Sequence, residues 1–198
     1  MATLDPRTWW FVARAAGLVA WILLALTVIW GLALSTKAFG RNPKPAWLLD
    51  LHRHLGGLAV VFTGVHLAGL FADTYVAFGW RELFLPFASA WKPGAVAWGI
   101  VAFYLLIAVE VTSLLQRHLS RKWWRRVHFA SFPLFVIATV HLATAGTDSG
   151  GAVTQWLAVV VCTIVAFLVL LRVVARREPS RSTAQLTALR KALPADDG

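Results

Sequence analysis

The chain contains one cysteine, one methionine and two tyrosines, and only 14% of its residues are charged. A single thiol, Cys162, excludes an intrachain disulfide and any CxxC redox or zinc motif. It lies in an apolar run and reads as a small buried residue. Acid is scarcer than base: nine Asp plus Glu stand against 19 Lys plus Arg, for a net charge of +10. Inside the apolar runs Glu110 is the sole carboxylate, too few for a di-metal carboxylate centre. A strongly basic balance can mark nucleic-acid binding. Here the basic residues gather at the ends of apolar runs, which fits membrane topology and argues against a nucleic-acid partner.

What the chain has in excess is apolar surface, 59% of its 198 residues. Soluble domains are about half apolar and about a quarter charged. The excess sits in nearly charge-free runs long enough to cross about 30 Å of hydrocarbon. A spanning helix satisfies its own backbone in lipid. The expected fold is therefore all-α: a polytopic membrane helical bundle of about five transmembrane helices. The runs extend over about Trp9–Leu34, Leu51–Phe71, Gly94–Leu115, Val127–Ala145 and Val153–Val174. Asp50 is placed to cap the second, and Pro133 interrupts the fourth. The first run is too long for a signal-peptide core and is followed by further spans. The stretch Thr74–Trp91 is broken by Arg81, Glu82 and Pro86. It should lie at the interface or cap the bundle's outer mouth. Residues 1–176 form the transmembrane domain and 177–198 a short polar cytoplasmic tail.

Loop charges orient the spans. Lys37, Arg41 and Lys44 follow the first; Arg117, Arg121, Lys122, Arg125 and Arg126 follow the third; Arg172, Arg176 and Arg177 close the fifth. The loop Thr144–Val153 has no basic residue. The positive-inside rule predicts N-out and C-in in a cell (inner or plasma) membrane. Trp9, Trp10, Trp47, Trp80, Trp91, Trp123, Trp124 and Trp156 fall near span ends, as an aromatic belt would.

All six histidines lie in or beside the second and fourth spans: His52, His54, His66, His118, His128 and His141. His52 and His66 are 14 residues apart, nearly four whole turns or about 21 Å of rise, so they share a face. His54 lies about 120° from His66 and is the poorer partner. His128 and His141 are 13 residues apart, about 140° out of register on an ideal helix. Pro133 between them can alter the winding. The two spans run parallel, so His52 meets His128 and His66 meets His141, as two pairs stacked along the membrane normal. A lone buried histidine most often only bonds a neighbouring helix. Four at matched depths are better explained as axial ligands of haem iron. A proton or metal transporter and a haem-binding assembly or structural subunit are the alternatives.

The elements Leu-His-Arg-His-Leu-Gly (Leu51–Gly56) with His66, and Trp-Arg-Arg-Val-His (Trp124–His128) with His141, resemble the ferric reductase-like transmembrane domain family. This family includes ferric reductases, NADPH oxidases and the haem subunit of bacterial methionine sulfoxide reductase systems. The resemblance covers about Ala13 to Arg176. It implies two haems b, an inner one on His52 and His128 and an outer one on His66 and His141, with His54 competing for the place of His52. It further implies electron flow from a cytoplasmic or membrane donor to an outer-side acceptor or reductase partner. No Gly-rich nucleotide motif follows the last span, so the donor is expected to be separate: a flavoprotein, quinol or redox subunit.

Arg14, Arg53 and Arg126 are the candidate partners of haem propionates. Glu110 is expected to pair with a basic residue, and His118 to be solvated. Tyr104, Phe62, Phe132 and Phe135 are candidates to line a haem or to fill the core. Gly56, Gly57, Gly64 and Gly69 permit close helix approach.

Overall fold

The structure, a computed structural model, describes residues 5, 7–36, 46–74, 76, 78–146 and 150–177. The side chains of 175–177 are outside the described set. So are Lys37, Arg41 and Lys44, the turn residues Thr147, Asp148 and Ser149, and the polar tail from 178 onward. The described elements are all helices: α1 (Thr8–Ser35), α2 (Ala46–Ala72), α3 (Trp80–Phe84), α4 (Pro93–Leu114), α5 (Arg121–Phe129), α6 (Ser131–Ala145) and α7 (Ala152–Arg177), with a 3₁₀ turn at Gln116–His118. Five stretches are long and apolar enough to cross a membrane: α1, α2, α4, α5 with α6, and Ala152–Val174 of α7. The chain is a multi-pass membrane protein with an all-helical fold.

Two boundaries differ from the sequence-based expectation for physical reasons. Asp50 does not cap α2. The helix extends back through Ala46, Trp47, Leu48 and Leu49, and Trp30 Nε1 of α1 donates to the Leu48 carbonyl at 2.8 Å. Asp50 instead sits inside the first turns, where its carboxylate pairs with Arg53 at 3.4 Å. The fourth span is not one helix but two, parted at Ala130. Proline has no N–H and its ring crowds the carbonyl four residues back. For Pro133 that carbonyl is Phe129, the last residue of α5. The Ala130 N–H turns to the Val127 carbonyl at 2.9 Å, and α6 restarts with the Leu134 N–H on the Ala130 carbonyl at 2.9 Å.

The bundle is two helix pairs. α1 lies along α2 over most of its length and α4 along α6, while α1 also touches α6 and α7. Small residues permit the closest approach: a Cβ on Gly69 would lie 2.9 Å from the Ala13 backbone nitrogen. Because that neighbour is backbone, it cannot swing aside. Gly69→Ala should force α1 from α2 and cost about 1–3 kcal/mol, read as a lower Tm in detergent. An unchanged Tm would mean that the approach is slack. Trp21 of α1, buried with Ala25, Val28 and Leu32, packs on Phe135 of α6 and Val165 of α7, and its Nε1 donates to Thr139 Oγ1 at 3.0 Å.

The broken segment between α2 and α4 does not span. Phe78 and Leu83 are buried against Val96 and Ile100, so α3 folds over one end of the bundle as a cap. Glu82 holds the turn by accepting the Gly79 N–H at 2.9 Å, and Tyr104 Oη donates to the Phe84 carbonyl at 2.8 Å. Direct backbone packing between α2 and the α5–α6 span is nearly absent, although both face the bundle interior. The slot between them is where the histidines meet.

Candidate histidine-pair site

His52 and His66 project from α2; His128 projects from the end of α5 and His141 from α6. The His52 and His128 rings have centroids 6.1 Å apart, and His66 and His141 are 6.4 Å apart. The break at Ala130 makes the second pairing possible. It changes the winding between His128 and His141, which an unbroken helix would set about 140° apart.

The His66–His141 pair is the more enclosed. His66 Nδ1 lies 2.7 Å from the Ala13 carbonyl of α1, and His141 Nδ1 lies 2.8 Å from the Ala95 carbonyl of α4. A carbonyl only accepts, so in both rings Nδ1 carries the hydrogen and Nε2 keeps its lone pair. The rings fit because glycine lies beneath them: a Cβ at Gly17 would sit 2.8 Å from His66 Nδ1, and one at Gly99 would sit 2.6 Å from His141 Cε1. Both histidines open on a largely apolar cavity of about 210 Å³, capped by Phe78, Leu83 and Trp91.

The His52–His128 pair lies at the end bearing the basic residues of α5. His52 Nδ1 is buried and has no partner of hydrogen-bonding geometry, with the Thr27 backbone beside it. His128 Nδ1 meets Ser113 Oγ at 3.4 Å, and Trp124 stacks on the His128 ring at 5.1 Å. Gly31 does for His52 what Gly17 does for His66, with the His52 ring 3.1 Å from a would-be Cβ. The repeat is geometric: Gly17 and Gly31 are 14 residues apart on α1, as are His66 and His52 on the antiparallel α2.

The other candidate residues are distributed unevenly. Arg14 is half-buried, lines the His66–His141 cavity and lies 5.9 Å from the Trp10 and Phe11 ring centres. Arg53 is exposed and bound to Asp50, and Arg126 is exposed over Trp123 at 5.6 Å. Arg53 is close enough for its charge to act on His52. His54 is exposed, its Nδ1 2.9 Å from the Asp50 carbonyl, and His118 is exposed on the 3₁₀ turn; neither joins a pair. Glu110 makes no ion pair among the described residues, contrary to expectation. Its carboxylate lies where a Cβ of Gly56 would be, so it faces α2 rather than the basic loop. Phe135 belongs to the core, and Phe103 and Trp91 line the cavity. Arg172 of α7, grouped in sequence with the tail charges, lies 5.4 Å from the Phe129 ring centre, close enough for its charge to act on His128. Its place in a basic span end gave no hint of this.

The pairs fit iron porphyrin on geometry. A metal–imidazole bond is about 2 Å and the nitrogen lies about 1.1 Å from its ring centre, so opposed ligands have centroids about 6.2 Å apart. Both observed separations are close to this. No cluster of three or more His, Cys, Asp or Glu side chains occurs among the described residues. A bare metal ion would need such a cluster; a porphyrin, which brings four nitrogens of its own, needs two ligands.

The fold and site define a class: polytopic membrane proteins with two stacked histidine pairs bridging a helical bundle. More particularly, the chain belongs to the ferric reductase like transmembrane component family, whose sequence model matches residues 16–139, well over half of the chain. The matched stretch contains His52, His66 and His128 and ends two residues before His141. Searches of curated proteins and of solved structures found no match to the chain.

Proposed function

We propose that the chain is a transmembrane electron-transfer subunit holding two b-type haems, one between His52 and His128 and one between His66 and His141. The observation that carries this reading is the pair of facing imidazoles at 6.1 and 6.4 Å on helices that otherwise stand apart. Haem held by two imidazoles would supply a one-electron couple rather than a binding site for oxygen or substrate. The protein's part is orientation and insulation. Ala13 and Ala95 fix the tautomer of two ligands, the apolar lining keeps water out, and Arg14 and Arg172 bring positive charge to where propionates need it. On this reading the His52–His128 end, which bears the basic residues of α5 and its preceding turn, faces the cytoplasm, N-out and C-in, in the cell membrane. Haem held by the two pairs would let electrons pass from a separate flavoprotein, quinol or redox subunit, on the side of His52 and His128, to an outer-side acceptor near His66 and His141.

Purified protein should show the sharp bands of low-spin b haem, with about two haems per chain by haemochrome assay. His54→Ala and His118→Ala should leave that count unchanged. A folded but colourless protein would sink the proposal and favour histidine-lined transport. Haem that no donor reduces would favour an assembly or structural role.

A further inference from the structure

An axial imidazole has two nitrogens, and the one that does not bind iron tunes the one that does. A ring that donates its far N–H to a strong acceptor becomes a more basic ligand. A more basic ligand favours ferric over ferrous iron, so second-sphere hydrogen bonding is one of the protein's means of setting a haem potential.

The two pairs differ in this respect. Both rings of the His66–His141 pair donate to backbone carbonyls, at 2.7 and 2.8 Å. In the His52–His128 pair the His52 Nδ1 only approaches the Thr27 backbone, outside hydrogen-bonding geometry, and His128 Nδ1 has only a serine hydroxyl at 3.4 Å. The difference has a local cause in the glycine slots. The would-be Cβ is 2.8 Å from the His66 ring at Gly17 and 2.6 Å from the His141 ring at Gly99, against 3.1 Å from the His52 ring at Gly31. The tighter slots let the rings descend onto the neighbouring helix until Nδ1 reaches its carbonyl.

Resting on the two-haem reading above, we propose that Gly17 and Gly99 are positioning residues that make the haem sites unequal. By seating His66 and His141 as donors to the Ala13 and Ala95 carbonyls, they give the outer haem the lower reduction potential. A single electron on the protein then rests on the inner haem, and the outer haem, once reduced, is the stronger reductant of the two.

The test is a potentiometric titration of haem absorbance in the full chain. The parent protein titrates in two one-electron steps. Gly17→Ala and Gly99→Ala each lift the ring from its carbonyl and move the lower step upward. The reduced-to-oxidised ratio at a fixed potential changes about tenfold, or about 59 mV for one electron. Ser113→Asn, which offers His128 Nδ1 a carbonyl acceptor, moves the upper step downward and narrows the gap. Gly57→Ala and Gly64→Ala, whose added methyls meet nothing within 4 Å, move neither step. If a glycine variant fails to fold, Ser113→Asn alone decides. Two haems of equal potential, a glycine variant that shifts only the upper step, or an unchanged gap in Ser113→Asn overturns this inference and leaves the two-haem reading intact. A chain that holds no haem overturns both.

Discussion

His66→Ala protein is expected to carry about one haem where the parent carries about two, with the bundle still folded. The loss should be complete at that site, because nothing nearby can replace the ligand. The other imidazoles of α2 are His52, four turns away, and the outward-facing His54. The fold should survive because the ring's partner is a backbone carbonyl within α1. Losing one hydrogen bond there costs about 1 kcal/mol, and the hollow opens on an existing cavity. The remaining haem should keep its low-spin spectrum, since His52 and His128 are untouched. His66→Met offers a check in the opposite direction: a thioether should keep iron in place and raise the potential of that haem. Haem content that stays at the parental level in His66→Ala would remove His66 from the ligand set.

Pro133→Ala should also cost the protein a haem, by an entirely different route. Alanine restores the N–H that the Phe129 carbonyl lacks and is about 3 kcal/mol better than proline inside a helix. The span Arg121–Ala145 then favours one unbroken helix. On such a helix His128 and His141 lie about 140° apart, so both cannot face α2. His141 is held by the Ala95 carbonyl over the Gly99 slot, whereas His128 has the 3.4 Å contact with Ser113 and a stack on Trp124 of its own helix, which would turn with it. His128 should be the one that turns away. The expected product has equal or greater helicity by circular dichroism and lacks low-spin haem at the His52 site. An unaltered spectrum would mean that packing, not the proline, sets the register of the fourth span.

Much of this was legible from residue order. The five spans follow from apolar runs, and the gathering of all six histidines in or beside two of them points to the candidate site. The 14-residue step from His52 to His66 announces a shared face. The 13-residue step from His128 to His141 forbids one on an ideal helix, and the parting of α5 from α6 at Ala130 reconciles it with a pair. A proline in sequence says that a helix will be disturbed, not by how much the next turn rotates. Glycines were harder still. Gly56 and Gly69 do meet a neighbouring helix closely, while Gly57 and Gly64 face open space. The glycines under the rings, Gly17, Gly31 and Gly99, were indistinguishable from packing residues because their partners are distant in sequence. Arg53 and Arg126 adjoin ligands in the chain, yet helix geometry turns neighbours in sequence about 100° apart. Arg172, remote in sequence, comes close through the packing of α7.

The near-absence of contact between α2 and the α5–α6 span also bears on how the protein is held together. On the two-haem reading, each porphyrin would add a tie across that slot to the packing of α1 on α6 and α7 that already joins the two helix pairs. A ligand that binds only the folded form adds stability, so protein loaded with haem should resist heat and protease better than protein without it.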